Sequence, residues 1–121
     1  MAKVNQRRSK RLPETFRRFV EKFPAIADAH EAVARAVDEL GPLDRKTCEL
    51  IKIGIAAAAG LETATCSHAR RAVEQGATTA EIEQTILLLV NTCGFPRAVA
   101  AWQWAKQALT RRGRAGLRKV R

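Results

Sequence analysis

The longest apolar run in the chain is nine residues, Ile53 to Leu61, reading IGIAAAAGL. Wound into a helix, such a run is apolar on every side, so it is expected to be buried all round. It falls far short of the roughly 20 residues that a membrane-spanning helix needs. Its neighbours must therefore be other parts of a folded protein, and its alanines let those neighbours come close. With 121 residues the chain is long enough for one domain with a core of its own.

The punctuation around that run is helical throughout. Pro13 and Pro24 suit first-turn positions, where a missing N–H costs nothing. A first helix is expected from about Pro13 to Lys22, with Phe16, Phe19 and Val20 on one face. A second runs from Pro24 to Leu40, with Ile26, Ala29, Val33, Ala36, Val37 and Leu40 at three-four spacing. Gly41-Pro42 stops it, and Asp44 caps a third helix that ends at Gly60. A fourth covers about Thr63 to Gln75, with Gly76 as its stop. Thr78 to Glu81 reads as a capping box, followed by Ile82, Ile86, Leu89 and Val90 on a core face and an end near Cys93-Gly94. Pro96 opens the last helix, with Val99, Trp102 and Ala105 as its apolar stripe and an end near Gly113. Six helices and no credible strand make an all-α domain. Leu87 and Leu88 add apolar surface beyond one core face, which suggests a subunit interface.

Charge divides the chain. The formal net charge is +10, yet residues 1–18 carry seven Lys/Arg and one acid, and residues 111–121 carry six Lys/Arg and no acid. Between them, residues 19–110 hold nine Lys/Arg against eleven acids. The expected organisation is a basic N-terminal arm (1–18), a mildly acidic folded domain (19–110) and a basic C-terminal tail (111–121). Such arms attract nucleic acid or acidic surfaces by an unspecific, salt-sensitive force, or keep the protein soluble. No secretory signal or membrane segment is written, so a cytoplasmic protein without a membrane partner is expected. The three cysteines, Cys48, Cys66 and Cys93, form no CxxC pair, and three free thiols are the expectation in a reducing compartment.

The stretch TATCSHARRAVEQG places Cys66 and His68 two residues apart. On a helix they lie about 200° apart, so they do not form a self-contained thiol–imidazole dyad. His68 is a candidate acid–base group, or a structural histidine. Cys66 is a candidate reactive thiol, or a buried small hydrophobe. Glu49, with Arg45, Lys52, Ile53 and Ala56 as helical neighbours, is either a solvated acid paired with Arg45 or Lys52, or a partly buried carboxylate. His30 has no neighbouring partner and reads as structural.

Three segments in this order, GPLDRKTCELIKIGIA, SHARRAVEQGATTAEIEQTI and CGFP, resemble the carboxymuconolactone decarboxylase family, which includes the AhpD-like alkyl hydroperoxidase proteins. The resemblance covers roughly Leu43 to Leu109. It implies an all-helical bundle that assembles into trimers, hexamers or other rings. In the AhpD-like branch a glutamate and a histidine serve a C-x-x-C pair that cycles between dithiol and disulfide while reducing a peroxide or a redox partner. The glutamate precedes the histidine by nineteen residues, which implies Glu49 and His68 here. The paired cysteines precede the histidine by seven and four residues; Leu61 and Ala64 stand at those positions.

Three functions follow. One is an AhpD-like peroxidase or thiol antioxidant that keeps a Glu49–His68 relay and relies on Cys66 as a single thiol. Its alternative within the family is proton transfer on a lactone acid, as in the decarboxylase branch, using Glu49 and His68 and no thiol. Arg70, Arg71 and Arg97 are candidates for holding a carboxylate, or ordinary surface charge. A second function is a non-catalytic relative that binds nucleic acid or acidic partners through its tails. The third, a metal site of His68, Glu49 and a cysteine, ranks last because its ligands are scattered. No cofactor and no metal are implied.

Overall fold

Pro24 has the fixed φ that a first helical turn requires, and it separates two short amphipathic stretches. In the computed structural model, which describes residues 14–120 with side chains for 14–110, these become α1 (Glu14–Lys22) and α2 (Pro24–Glu39). The expected start at Pro13 and most of the basic N-terminal arm lie outside the described residues. The junction is tied by the Phe23 N–H, which donates to the Phe19 carbonyl at 2.8 Å, and the two rings lie 5.0 Å apart. Val20 is buried, whereas Ile26, Val33, Val37 and Leu40 of the α2 stripe are all exposed. These helices form one of two compact units; the second begins at Leu43.

The second unit holds α3 (Arg45–Ala58), α4 (Glu62–Glu74), α5 (Thr79–Leu87) and α6 (Phe95–Val120). Among the described residues there is no strand. Asp44 Oδ1 accepts the Thr47 N–H at 2.7 Å and starts α3. The helix stops where Gly60 takes φ +76°, letting the Leu61 N–H reach the Ala56 carbonyl and the Gly60 N–H reach Ala57. Gly76, at φ +92°, closes α4 the same way through Ala77 to Ala72. Both are the reciprocal end that a left-handed residue makes possible, and glycine adopts it without a Cβ penalty. Thr78 and Glu81 make both bonds of the expected capping box at the head of α5.

The core is built from small residues. Ala57 of α3, Ala69 and Ala72 of α4, and Ala98, Ala101 and Ala105 of α6 are buried with Ile53, Ile82, Ile86 and Leu89. Alanine leaves no side chain to hold two helices apart, so α4 lies closely against both α3 and α6.

Four expectations are corrected here. The far side of α3 is open: Ile53, Ala56 and Ala57 are buried, but Ile55 is 64 % exposed, because α4, α5 and α6 cover only one side. The buried stripe of α6 is Ala98, Ala101, Ala105 and Ala108, while Val99 and Trp102 are exposed; the close approach to α4 selects the alanines. α5 ends at Leu87, short of Cys93, and the chain then turns, with the Leu89 carbonyl accepting from Thr92, Cys93 and Gly94. α6 does not stop near Gly113 but continues to Val120. The arginines and alanine of this stretch favour helix, against a cost of about 1 kcal/mol per glycine.

Candidate functional site

Glu49 lies one turn before Ile53 and two before Ala56, on the stripe of α3 that faces the core. Its burial follows from that register: the residue is only 6 % exposed. His68 lies on α4 beside the buried stripe of Thr65, Ala69 and Ala72. Because α3 and α4 are joined by only three residues, the two stripes face each other and these side chains meet. His68 Nδ1 lies 2.7 Å from Glu49 Oε2. The solvated-acid reading of Glu49 does not hold, since its carboxylate is buried.

A carboxylate has no proton to give, so Nδ1 carries the hydrogen and donates it. That bond selects the tautomer whose Nε2 bears a lone pair. The His68 side chain is 20 % exposed against 8 % for Glu49, so the imidazole is the more accessible partner. The unit can therefore take a proton at Nε2 while the carboxylate balances the imidazolium. A buried carboxylate is tolerated only when it is paired in this way.

Cys66 occupies a different face of α4. Its thiol donates to the Trp104 carbonyl of α6 at 3.3 Å. Cys48 donates to the Leu43 carbonyl at 3.7 Å, Cys93 is exposed, and all three thiols are free. Thus Glu49 and His68 are brought together, while the thiol of Cys66 bonds toward α6. Leu61 and Ala64 precede His68 on its own side of α4, Leu61 exposed and Ala64 half-buried.

The surrounding contacts were harder to foresee. Thr65 is fully buried one turn before His68, its hydroxyl donating to the Leu61 carbonyl at 2.8 Å. Its place three residues before the histidine is a usable signal, but the Trp104 carbonyl has none, since every residue carries one. Arg70 and Arg71 are half-buried on α4, and the Arg97 guanidinium lies against the Cα of Gly60. Among the described residues no group of three His, Cys, Asp or Glu side chains is placed to hold a metal ion. None of their helices is long and apolar enough to cross a membrane. A groove of about 280 Å³ between α5 and α6, lined by Ile82, Ile86, Trp102 and Lys106 among others, contains neither Glu49 nor His68. The buried acid–base pair, rather than that open groove, marks the candidate site.

The model of one protein family, described as the carboxymuconolactone decarboxylase family, matches residues 24–107. The match reaches back through α2, further than the segments that carry the resemblance in the sequence. A solved structure of similar fold is the apo form of a carboxymuconolactone decarboxylase family protein from Legionella pneumophila. It is 26 % identical, with a TM-score of 0.66, and the similarity covers 78 % of this chain and 87 % of that one. No curated protein sequence matches the chain.

Proposed function

The chain belongs to the carboxymuconolactone decarboxylase family, and on that premise we propose that it is a proton-transfer enzyme in which His68 is the general acid–base and Glu49 its positioning partner. The observation that carries this reading is the buried 2.7 Å bond between them. With Nδ1 committed to the carboxylate, Nε2 is the atom that exchanges protons with a substrate.

The substrate class is a small lactone acid. In its decarboxylation the bond from carbon to the carboxylate breaks and carbon dioxide leaves. The electron pair passes into the adjoining conjugated system, and carbon takes a proton from the His68 imidazolium. The reaction consumes one proton, which solvent supplies to His68 Nε2 before each turnover. No oxidant or reductant is consumed.

A thiol peroxidase remains the alternative, and Cys66 is the residue it needs. Its support is weaker: the thiol is engaged with a carbonyl of α6, and the positions of the AhpD-like cysteine pair are Leu61 and Ala64.

Assembly belongs to the same reading. Ile55, Leu87 and Leu88 are each more than 60 % exposed, and covering them would favour association. A homo-oligomer, a trimer or hexamer, covers them. Sedimentation showing a monomer at micromolar concentration rejects this.

The deciding experiment is carbon dioxide release from carboxymuconolactone by wild type, His68→Ala and Glu49→Gln. Turnover by wild type that falls about 10²–10⁴-fold in His68→Ala supports the proposal. A wild type inert toward lactone acids, or His68→Ala as active as wild type, rejects it.

A further inference from the structure

Trp102, Ala105 and Leu109 follow one another at three-four spacing along α6 and line the groove beside α5. The small middle residue leaves a gap between two bulky ones. That gap opens onto Ile82 and Ile86 of α5, both buried, and the groove so formed has a volume of about 280 Å³. Its size is near the lower end of small-ligand sites, which are mostly apolar with a few placed polar groups. The indole of Trp102 is a fixed wall: its Nε1–H donates to Glu83 Oε2 of α5 at 3.3 Å. Lys106, one turn further along α6, holds its ammonium 4.8 Å from the centroid of the same ring. Among the described residues that ammonium meets no carboxylate, so within the protein only the π-face of the indole attracts it. The two charges at the groove therefore differ. Glu83 already accepts the indole N–H, whereas the three N–H donors of Lys106 have no acceptor.

We propose that this groove is a second binding site, for a small aromatic monocarboxylate. The ring enters the apolar gap beside the indole, where an offset or edge-on aromatic contact adds to the burial of area. The carboxylate meets Lys106 at the rim and takes the donors that the protein leaves unused. A neutral ring gains the apolar contact but not the ion pair. A ring bearing an ammonium group is repelled by Lys106, and Glu83 is already committed to Trp102. A second carboxylate on the ligand has no second cation among the lining residues and is repelled by Glu83, so one acid group is favoured over two. The groove contains neither Glu49 nor His68, so this site stands or falls independently of the proton-transfer reading.

The test is a titration of the full chain with 1-naphthoate, followed through the indole N–H signals in NMR, with Trp102→Phe identifying the Trp102 signal. At ordinary ligand efficiency its roughly thirteen non-hydrogen atoms give a dissociation constant of about 1 mM. The Trp102 signal is expected to shift and saturate. The neutral analogue 1-naphthalenemethanol is expected to bind up to about fivefold more weakly, the worth of an exposed ion pair. Lys106→Gln is expected to erase that preference, and Lys106→Glu to turn it toward 1-naphthylmethylamine. Lys106 is exposed, so both variants are expected to keep the fold, which circular dichroism checks. Three results overturn the proposal. One is no saturable shift at several millimolar naphthoate. Another is equal binding of acid, alcohol and amine by wild type, or an order of preference unchanged in Lys106→Glu. The third is a Trp102 signal that moves with protein concentration and not with naphthoate, which assigns the groove to a second copy of the chain.

Discussion

Glu49 Oε2 and His68 Nδ1 lie 2.7 Å apart although nineteen positions separate them in the chain. Neither residue can hold this geometry alone. The carboxylate is fixed by the core-facing stripe of α3 and the imidazole by the matching edge of α4. Glu49→Gln keeps the shape but removes the charge that balances an imidazolium. The expected outcome is a lower proton-transfer rate with the fold intact. Nitrogen NMR of the imidazole is expected to show the proton on Nδ1 in wild type and a mixture of tautomers in the variant. An unchanged tautomer would show that Glu49 does not set it.

Removing the other partner has a different cost. His68→Ala leaves a buried carboxylate without its imidazole donor, a penalty of about 3–5 kcal/mol. Glu49→Gln in the same background is expected to recover part of that loss, because a neutral amide is cheaper to bury. Urea unfolding of the two single variants and the double variant measures this coupling.

Gly60 and Gly76 make a matched pair. Both have positive φ, so alanine at either is expected to cost about 1–2 kcal/mol. They differ in surroundings: a Cβ at Gly76 meets nothing, while one at Gly60 runs into the Arg97 guanidinium. The long arginine side chain is able to swing away, so the excess at Gly60 is expected to be small. It is expected to vanish when Arg97→Ala is combined with Gly60→Ala. Thermal melts of the four variants test this.

Glu81 links two helix starts. Its Oε1 accepts the Thr78 N–H at 2.9 Å, and its Oε2 lies 3.0 Å from Lys46 at the start of α3. The Thr78 backbone bond, then Lys46, hold its carboxyl below the ordinary value of 4.5. Asp44 is lowered too, from 3.8, by its bonds to Thr47. A folded value below the unfolded one means stability that is present above the unfolded value and lost as pH falls through the folded one. Wild type is therefore expected to lose stability as pH drops below about 4.5, and Glu81→Gln is expected to lose less over that window. Thr78→Ala removes the other half of the box and is expected to cost about 1 kcal/mol near neutral pH.

What was legible in the sequence was local or spacing-based. Asp44, Thr78 with Glu81, Gly60 and Gly76 act through backbone groups within a few residues, so their types and positions suffice. The Glu49–His68 pairing was legible through the family resemblance, and helix geometry alone separated Cys66 from His68. Facing was not legible. Val99 and Trp102 are more apolar than Ala98 and Ala101, so hydropathy favours them as the inner stripe of α6, but the space beside α4 admits only small residues. Ile55 likewise reads as core, and its exposure depends on how many helices one chain can place around α3. The reach of α6 past Gly113 was missed because two glycines weigh heavily in a local reading, while the surrounding arginines and alanine favour helix.

Cys66 separates the two chemistries. Serine in its place keeps a hydroxyl donor for the Trp104 carbonyl, so the packing of α4 on α6 is expected to survive. If the reaction is proton transfer at His68, Cys66→Ser turns over lactone acid within about twofold of wild type, since a residue that makes no contact with the reacting atoms leaves the barrier almost unchanged. If a thiol does the work, wild type consumes hydroperoxide with a dithiol donor and Cys66→Ser does not. The same protein preparations serve both assays. Peroxide turnover that depends on both Cys66 and His68 would place the thiol back in the mechanism, with the Glu49–His68 pair acting on it rather than on a carbon acid.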